Sequence, residues 1–316
     1  MKFWWQRDPP AWSAPLAALS AVYRAGTAVH RAVSRPVQVA VPVISVGNLT
    51  VGGAGKTPVT LELARRLSAR GRRPAVLSRG YGRRSREPLE VTADARVEAA
   101  GDEPLLMARR GLRVFVGPRR AILAELAIRR GADVLLLDDG LQHHGLARDL
   151  DVIVADASNP FGNGRLLPAG PLREPVAALD RVRLGLVWLT RCDLPRDSRT
   201  AELSPFPAVE SVFEAQADLR GKRVFLFAGI ARPEGFAATV RALGGEIAGT
   251  RWFRDHHLFT ARELRDLREM AGGASLATTE KDLVRIEQPG GIVAVRVDLR
   301  VVKGEDVLER ALGEVL

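Results

Sequence analysis

Residues 48–60 read NLTVGGAGKTPVT, a glycine-rich turn that runs directly into Gly55, Lys56 and Thr57. That order of residue types suits the handling of nucleotide phosphates. Glycines remove side chains from the approach and permit the backbone conformations that aim consecutive N–H groups at one anion. The stretch Thr50, Val51, Gly52, Gly53, Ala54, Gly55, Lys56 and Thr57 therefore reads as an ATP-binding loop. Lys56 would reach the outer phosphates, Thr57 would offer its hydroxyl to Mg²⁺, and the helix that follows would add the partial positive charge of its amino terminus. Pro58 fits the first turn of that helix, where a missing N–H costs little. One position departs from the pattern, because Thr50 stands five residues before Gly55, where a first glycine is expected.

A second group of residues carries acid and base chemistry. Asp138 and Asp139 close the run DVLLLDDG, the place where a phosphoryl-transfer enzyme of this type keeps the carboxylate that holds hydrated Mg²⁺. Asp139 is also compatible with an ordinary Asp-Gly turn. Asp102, in GDEP, is a carboxylate in a glycine-containing turn, where it can meet an acceptor or cap a helix. Four of the five histidines are paired, His143 with His144 and His256 with His257. Neighbours one apart point in different directions on a strand or helix, which argues against a zinc site.

The elements that must position these groups follow from periodicity. Val41 to Val46 is a short apolar, β-branched run before the loop, and Leu61, Leu63, Ala64 and Leu67 follow on a helix that Gly71 can cap. Pro74–Ser78, Arg113–Gly117, Asp133–Leu137 and Val152–Ala155 are further short apolar runs, with a helical stretch at Arg119–Arg130. Strand, loop, helix and repeated buried strands predict an α/β fold, a doubly wound parallel sheet of the P-loop NTPase type. Its functional loops gather at the carboxyl ends of the strands. Residues 192–207, rich in proline and polar residues, read as a linker between a nucleotide-binding kinase domain at 36–191 and a second, smaller α/β domain at 208–316. In that second domain KRVFLFAGI, a helix at 233–243, a helix at 261–271, SLATT and GIVAVRV are the predicted elements.

With 316 residues, 46% hydrophobic and 27% charged, the chain is long enough for two ordinary cores. A single cysteine, Cys192, excludes an internal disulfide framework and points to a reducing compartment. The net charge of +10 leaves open whether the excess of arginine is functional. The amino-terminal segment, 1–35, gives that charge a context. Trp4, Trp5 and Trp12 precede a helical pattern from about Trp12 to Arg35, with Trp12, Leu16, Leu19, Val22, Tyr23, Val29 and Val33 on one face and Ser13, Ser20, Arg24, Thr27, Arg31 and Arg35 on the other. This is too short an apolar run to span a bilayer, and it lacks the layout of a signal peptide. It reads as an amphipathic helix for a membrane interface, with packing on the protein's own core as the alternative.

Taken together, ISVGNLTVGGAGKTP, LSRGYGR, GDEP, LLLDDGLQHH, NGRLLPAGPLREP, FRDHHLFT and TTEKD occur in an order and spacing that resemble the tetraacyldisaccharide 4'-kinase family over nearly the whole chain. The resemblance implies transfer of the ATP γ-phosphate, with Mg²⁺, to the 4'-hydroxyl of a tetraacylated glucosamine disaccharide 1-phosphate. It implies a lipid substrate met at the cytoplasmic face of the inner membrane, by a peripheral protein with no nucleic-acid partner. Thr50 matches the family's own loop. The resemblance also implies Asp102 as catalytic base, His256 as the group that polarises or orients it, and Lys56 as catalytic. Glu174 would join Thr57, Asp138 and Asp139 around the metal, Arg173 would contact phosphate, and Arg79, Tyr81 and Arg83 would line the acceptor side. Lys281 and Asp282 are left between a nucleotide-side role and a contact between domains. A membrane-recruited regulatory ATPase would use the loop and the helix but leave Asp102 and the 255–257 cluster without a task. A kinase of a soluble sugar or nucleoside would leave the helix without one.

Overall fold

The structure, a computed structural model, describes residues 2–230 and 233–316; Met1, Ala231 and Arg232 lie outside the described residues. After two short 3₁₀ turns come α1 (Leu16–Val33), β1 (Val43–Gly47), α2 (Lys56–Ala69), β2 (Pro74–Ser78), β3 (Leu89–Val91), α3 (Val97–Ala100), α4 (Asp102–Arg109), β4 (Arg113–Val116), α5 (Arg120–Arg129), β5 (Val134–Asp138), β6 (Leu150–Asp156) and β7 (Gly185–Thr190). The chain continues with β8 (Ala208–Gln216), β9 (Arg223–Ala228), α6 (Pro233–Ala242), β10 (Glu246–Trp252), α7 (Ala261–Ala271), β11 (Ser275–Thr279), α8 (Glu280–Leu283), β12 (Val293–Lys303) and α9 (Glu305–Val315).

The strands form one twelve-stranded sheet in the order β10-β9-β11-β12-β8-β7-β6-β1-β5-β2-β4-β3, parallel except where β3 meets β4 and β8 meets β12. Its central strands are buried on both faces, which is why they read in the sequence as unbroken apolar runs. Alternation sends Ile44, Val46, Val76 and Leu136 into the core under α2 and α4, and Val43, Ala75, Leu77, Leu135 and Leu137 into the core under α5. β1 lies between β5 and β6, so the phosphate loop and the two aspartates at the carboxyl end of β5 emerge side by side.

Residues 192–207, read above as a linker between two units, join β7 to β8. That segment holds a 3₁₀ turn at Ser198–Leu203, and Leu203 is buried in the core beside β6 and β7. β8 pairs with β7, and α9 sends Leu308 and Leu312 into the first core. The chain therefore leaves the first unit after β8 and returns along β12, whose start pairs with β11 and whose remainder pairs with β8. An eleven-residue strand shared by two units makes one continuous sheet of them.

Helix α1 lies against the first unit by its small and polar side. Ser20 is buried, its hydroxyl donating to the Leu166 carbonyl at 2.9 Å and accepting from the Ala169 N–H at 3.3 Å. The apolar face expected from the sequence splits: Leu16 and Tyr23 are half-buried toward the protein, whereas Leu19, Val22, Val29 and Val33 face outward. Among the described residues no helix is long and apolar enough to cross a membrane.

Candidate active site

Between β1 and α2 the loop takes the shape that the glycines permit. Gly52 and Gly55 have φ of +106° and +95°, in the left-handed region, and at Gly55 a Cβ would also come within 2.9 Å of the Phe213 ring. Thr50 has no such duty. It is buried in extended backbone bridged to Leu172, and its hydroxyl accepts from the Asn48 amide at 3.2 Å. The neighbouring bonds, Val51 N–H to Pro171 O at 2.8 Å and Arg173 N–H to Leu49 O at 2.7 Å, tie the loop to the segment that carries Glu174. A glycine is not needed where the chain runs extended against a partner. Lys56 Nζ donates to Asn48 Oδ1 at 2.9 Å and lies 3.4 Å from Asp139, so its ammonium is held over the carboxyl end of β5. Gly53 is open to solvent, Ala54 is buried with its carbonyl bonded by the Thr190 hydroxyl at 2.9 Å, and Thr57 is half-buried in the first turn of α2.

Asp138 and Asp139 part ways despite being neighbours. Asp138 ends β5 and is buried; one carboxylate oxygen accepts from Ser78 Oγ at 2.8 Å, and the other, Oδ1, is buried without a hydrogen-bond partner. Burial first, then the nearby charge of Glu103, pushes its carboxyl up to about 6. Asp139 turns out of the strand at φ 55° and accepts two bonds from Arg173 Nη1, both at 2.7 Å. Burial alone would raise its carboxyl, but Lys56 and Arg173 outweigh that and hold it below the usual range. Glu174 is buried and accepts from Arg181 at 2.6 Å and from Gln142 at 3.3 Å, and Gln142 also donates to the Asn48 carbonyl at 3.1 Å. Among the described residues no three His, Cys, Asp or Glu side chains converge into a ready-made cage. Mg²⁺ keeps several waters and takes one or two carboxylates plus phosphate. The orphaned Asp138 Oδ1 is the oxygen that fits such a cation.

The third group joins the two units. Asp102 is the first residue of α4, buried, and reached from the second unit by two side chains. His256, at φ 61° after β10, approaches Asp102 Oδ2 with Nδ1 at 2.8 Å. An ionised carboxylate only accepts, so Nδ1 carries the proton and Nε2 of a neutral ring keeps its lone pair. Arg285 donates to the same Oδ2 through Nε at 3.2 Å and Nη2 at 2.5 Å. Burial would raise the Asp102 carboxyl; the bond from His256 and the charges of Lys281 and Arg285 overcome it and hold the group well below the usual carboxylate range. His257 points elsewhere, to Glu263 at 3.0 Å, and stacks on Phe253, so the adjacent histidines do not converge on a metal.

The sequence matches the family described as Tetraacyldisaccharide-1-P 4'-kinase (LpxK) over residues 12–316. The chain belongs to the tetraacyldisaccharide 4'-kinase family. Relatives named tetraacyldisaccharide 4'-kinase include one from Anaeromyxobacter dehalogenans (strain 2CP-1 / ATCC BAA-258), 46% identical over 99% of this chain and 94% of its own, and one from Rhodospirillum centenum, 44% identical over 99% and 96%. The crystal structure of LpxK from Aquifex aeolicus in complex with ATP is similar with a TM-score of 0.79 at 27% identity, covering 96% of this chain and 100% of that one.

Three of the positions expected from the family resemblance, Arg79, Tyr81 and Arg83, follow directly after β2. Arg83 donates to the carbonyls of Ser85 and Glu87 through Nε and Nη2, and its Nη1 is buried without a hydrogen-bond partner among the described residues. Tyr81 is exposed, with its ring 6.1 Å from that of His256, and Arg79 is exposed at the end of β2. Lys281 reaches across the contact between units to Glu103 at 3.4 Å, whereas Asp282 bonds within its own unit, accepting from Arg285 at 2.9 Å and from the Gly229 N–H at 3.1 Å. Sequence reading missed Gln142, Arg120 and Arg285. Arg120 is buried at the start of α5, and burial lowers its guanidinium to about 10. Burial, aided by Arg120 and Arg79, lowers nearby His143 to about 4, so that ring is neutral at pH 7. Arg285 had a spacing signal, three residues after Asp282 and four after Lys281, on one face of a helical turn.

Proposed function

We infer that this protein transfers the γ-phosphate of ATP to the 4'-hydroxyl of a tetraacylated glucosamine disaccharide 1-phosphate. The observation that carries the reading is the meeting of Asp102 and His256, from two units, beside a complete phosphate loop. The backbone of residues 50–57 binds the phosphate tail and Lys56 neutralises the oxygens that gain charge as the γ-phosphoryl moves. Asp138 Oδ1, Thr57 Oγ1 and Asp139, with Glu174 behind them, would hold Mg²⁺, which when bound neutralises phosphate charge and orients the oxygens. Asp102, oriented by His256, accepts the proton of the attacking hydroxyl. Arg173 bridges Asp139 and Gln142 and so sets the position of Asp139.

The acceptor is a lipid, and α1 supplies the means of meeting it. Its outward face is Leu19, Val22, Val29 and Val33, while its buried seam is Ser20 with half-buried Leu16, Tyr23 and Thr27. A soluble helix buries its apolar side; this one exposes it, as an interfacial helix does. The protein then works peripherally at the cytoplasmic face of the inner membrane, with the site opening near the bilayer surface. A kinase of soluble sugars would have no use for that face.

The test is incubation with γ-labelled ATP, Mg²⁺ and the tetraacyl disaccharide 1-phosphate in mixed micelles. Label is expected in the glycolipid and retained after selective removal of the 1-phosphate. Label appearing only as inorganic phosphate, or on soluble sugars in preference to lipid, overturns the reading.

A further inference from the structure

Three donors meet at one oxygen of Asp102. His256 Nδ1, Arg285 Nε and Arg285 Nη2 all bond Oδ2, while Oδ1 accepts only the Glu103 N–H at 3.0 Å among the described residues. A carboxylate has about four lone-pair sites, so Oδ2 is filled and Oδ1 keeps room for one more donor. Arg285 is itself fixed. It is buried, its third nitrogen Nη1 bonds Asp282 at 2.9 Å and the Gly229 carbonyl at 3.1 Å, and Asp282 is pinned in turn by the Thr279 hydroxyl at 2.7 Å. The guanidinium therefore spans a rigid anchor in the second unit and a single oxygen of α4 in the first.

We propose that Arg285 is a positioning residue for phosphoryl transfer: its planar fork locks the rotation of the Asp102 carboxylate so that Oδ1 is presented to the acceptor hydroxyl, and it does so only while the second unit is docked on α4. This rests on the reading of Asp102 as proton acceptor. The docking surface is built for it, because α8 and the turn after it meet α4 and its C-cap through Glu280 with Arg110, Lys281 with Glu103 and Arg285 with Asp102. A lysine offers one nitrogen and no fork, so it cannot hold Asp102 and Asp282 together. The charged and titratable groups facing Asp102 are His256 from the loop after β10, Arg285 and Lys281 from α8 and its end, and Glu103 from its own helix; Tyr81 faces His256. Asp102 is depressed below the usual carboxylate range, so it is ionised over the whole neutral range. Removing the guanidinium raises it, and the acid limb of the rate profile moves to higher pH.

The experiment uses the full chain with ATP, Mg²⁺ and tetraacyl disaccharide 1-phosphate in mixed micelles, and compares D102N, R285K, R285A and R110M. R285K keeps a cation in the buried site and is the variant expected to fold. It should lose about tenfold or more in kcat, keep the parent's KM for ATP, and shift the acid limb upward. R285A should regain part of its kcat with added guanidinium but not with ammonium. R110M, which weakens the same docking surface away from Asp102, should lower Tm and leave the pH profile where it was. An R285K enzyme with the parent's kcat and pH profile, alongside an inactive D102N, overturns the proposal. So does an R285A enzyme that no cation restores while R285K and R110M behave alike. If D102N itself turns over like the parent, the base assignment fails, whatever Arg285 does.

Discussion

Replacing Leu19, Val22 and Val29 of α1 together by serine tests how the enzyme finds its substrate's surface. These three side chains are 55%, 71% and 64% exposed and lie on the outward face. Trp12 and Leu16 are left in place, since the Trp12 ring packs edge-on against buried Phe3 with centroids 4.8 Å apart and Leu16 is half-buried. Full burial of such a side chain is worth about 1.5–3 kcal/mol, and roughly six-tenths of that remains to be gained from the folded state, so about 1–2 kcal/mol each. At an interface roughly half of it is realised, which gives about 2 kcal/mol for the three. That is about thirtyfold in membrane partition. Helix propensity barely changes, because serine and valine rank together and leucine only slightly above them.

The assay is flotation with anionic vesicles, run beside thermal melting and two activity measurements. The triple variant should melt like the parent, float about thirtyfold less well, lose activity on acceptor held in vesicles and lose much less on acceptor in micelles. Salt should weaken what binding remains, since Arg24, Arg31 and Arg35 each add about 1 kcal/mol of attraction to anionic lipid that screening removes. A variant that floats like the parent, or one whose melting temperature falls with its flotation, refutes the reasoning and returns this face to the protein's own packing.

Three further substitutions probe the chemistry. Lys56→Ala removes the ammonium held by Asn48 and Asp139 and should cost about 3 kcal/mol of transition-state stabilisation, read as kcat at saturating ATP; near-normal turnover would remove the loop from the mechanism. Asp102→Asn keeps size but not the proton acceptor, so kcat should fall by about 10²–10⁴ with ATP affinity, measured by calorimetry, little changed. Gly55→Ala places a methyl group at φ +95°, within 2.9 Å of Phe213, and should abolish ATP-dependent stabilisation in a melting assay while the apo protein still folds; retained stabilisation by ATP would show that the loop is not held in this shape.

What the sequence made legible is what local physics decides. β1, β2, β5 and β6 are buried on both faces and appear as apolar runs, and the loop before α2 carries its own glycines. α7 was readable to the residue because Thr260 and Glu263 form a reciprocal capping box and Gly272, at φ 54°, ends the helix. β12 was only half legible. GIVAVRV marks its start, but Asp298 to Lys303 alternates polar residues because that part lies at the seam between the units, pairing with β8 rather than with β11. The helical period of α1 showed that two faces exist but not which one the protein takes. That was decided by Ser20 and its bonds to the 166–169 segment, contacts 146 and 149 residues away in the chain.

The site follows the same division. Lys56, Thr57 and the aspartates at the carboxyl end of β5 come from one strand-loop-helix and its neighbour, so spacing alone brings them together. Asp102 does not, because its partners arrive from the loop after β10 and from the turn after α8, 154 and 183 residues along the chain. No propensity marks a buried arginine. An unpaired guanidinium in this position would be severely costly, and removing one member of such a buried pair commonly costs about 3–5 kcal/mol. On the reading of Asp102 as proton acceptor, the arrangement links catalysis to architecture. The phosphate loop is complete within the first unit, whereas the side chains that bond Asp102 Oδ2 come from the second unit. A chain that leaves the first unit after β8 and returns along β12 keeps that seating short-tethered on both sides, so the partners of Asp102 and the nucleotide loop are carried by the same continuous sheet.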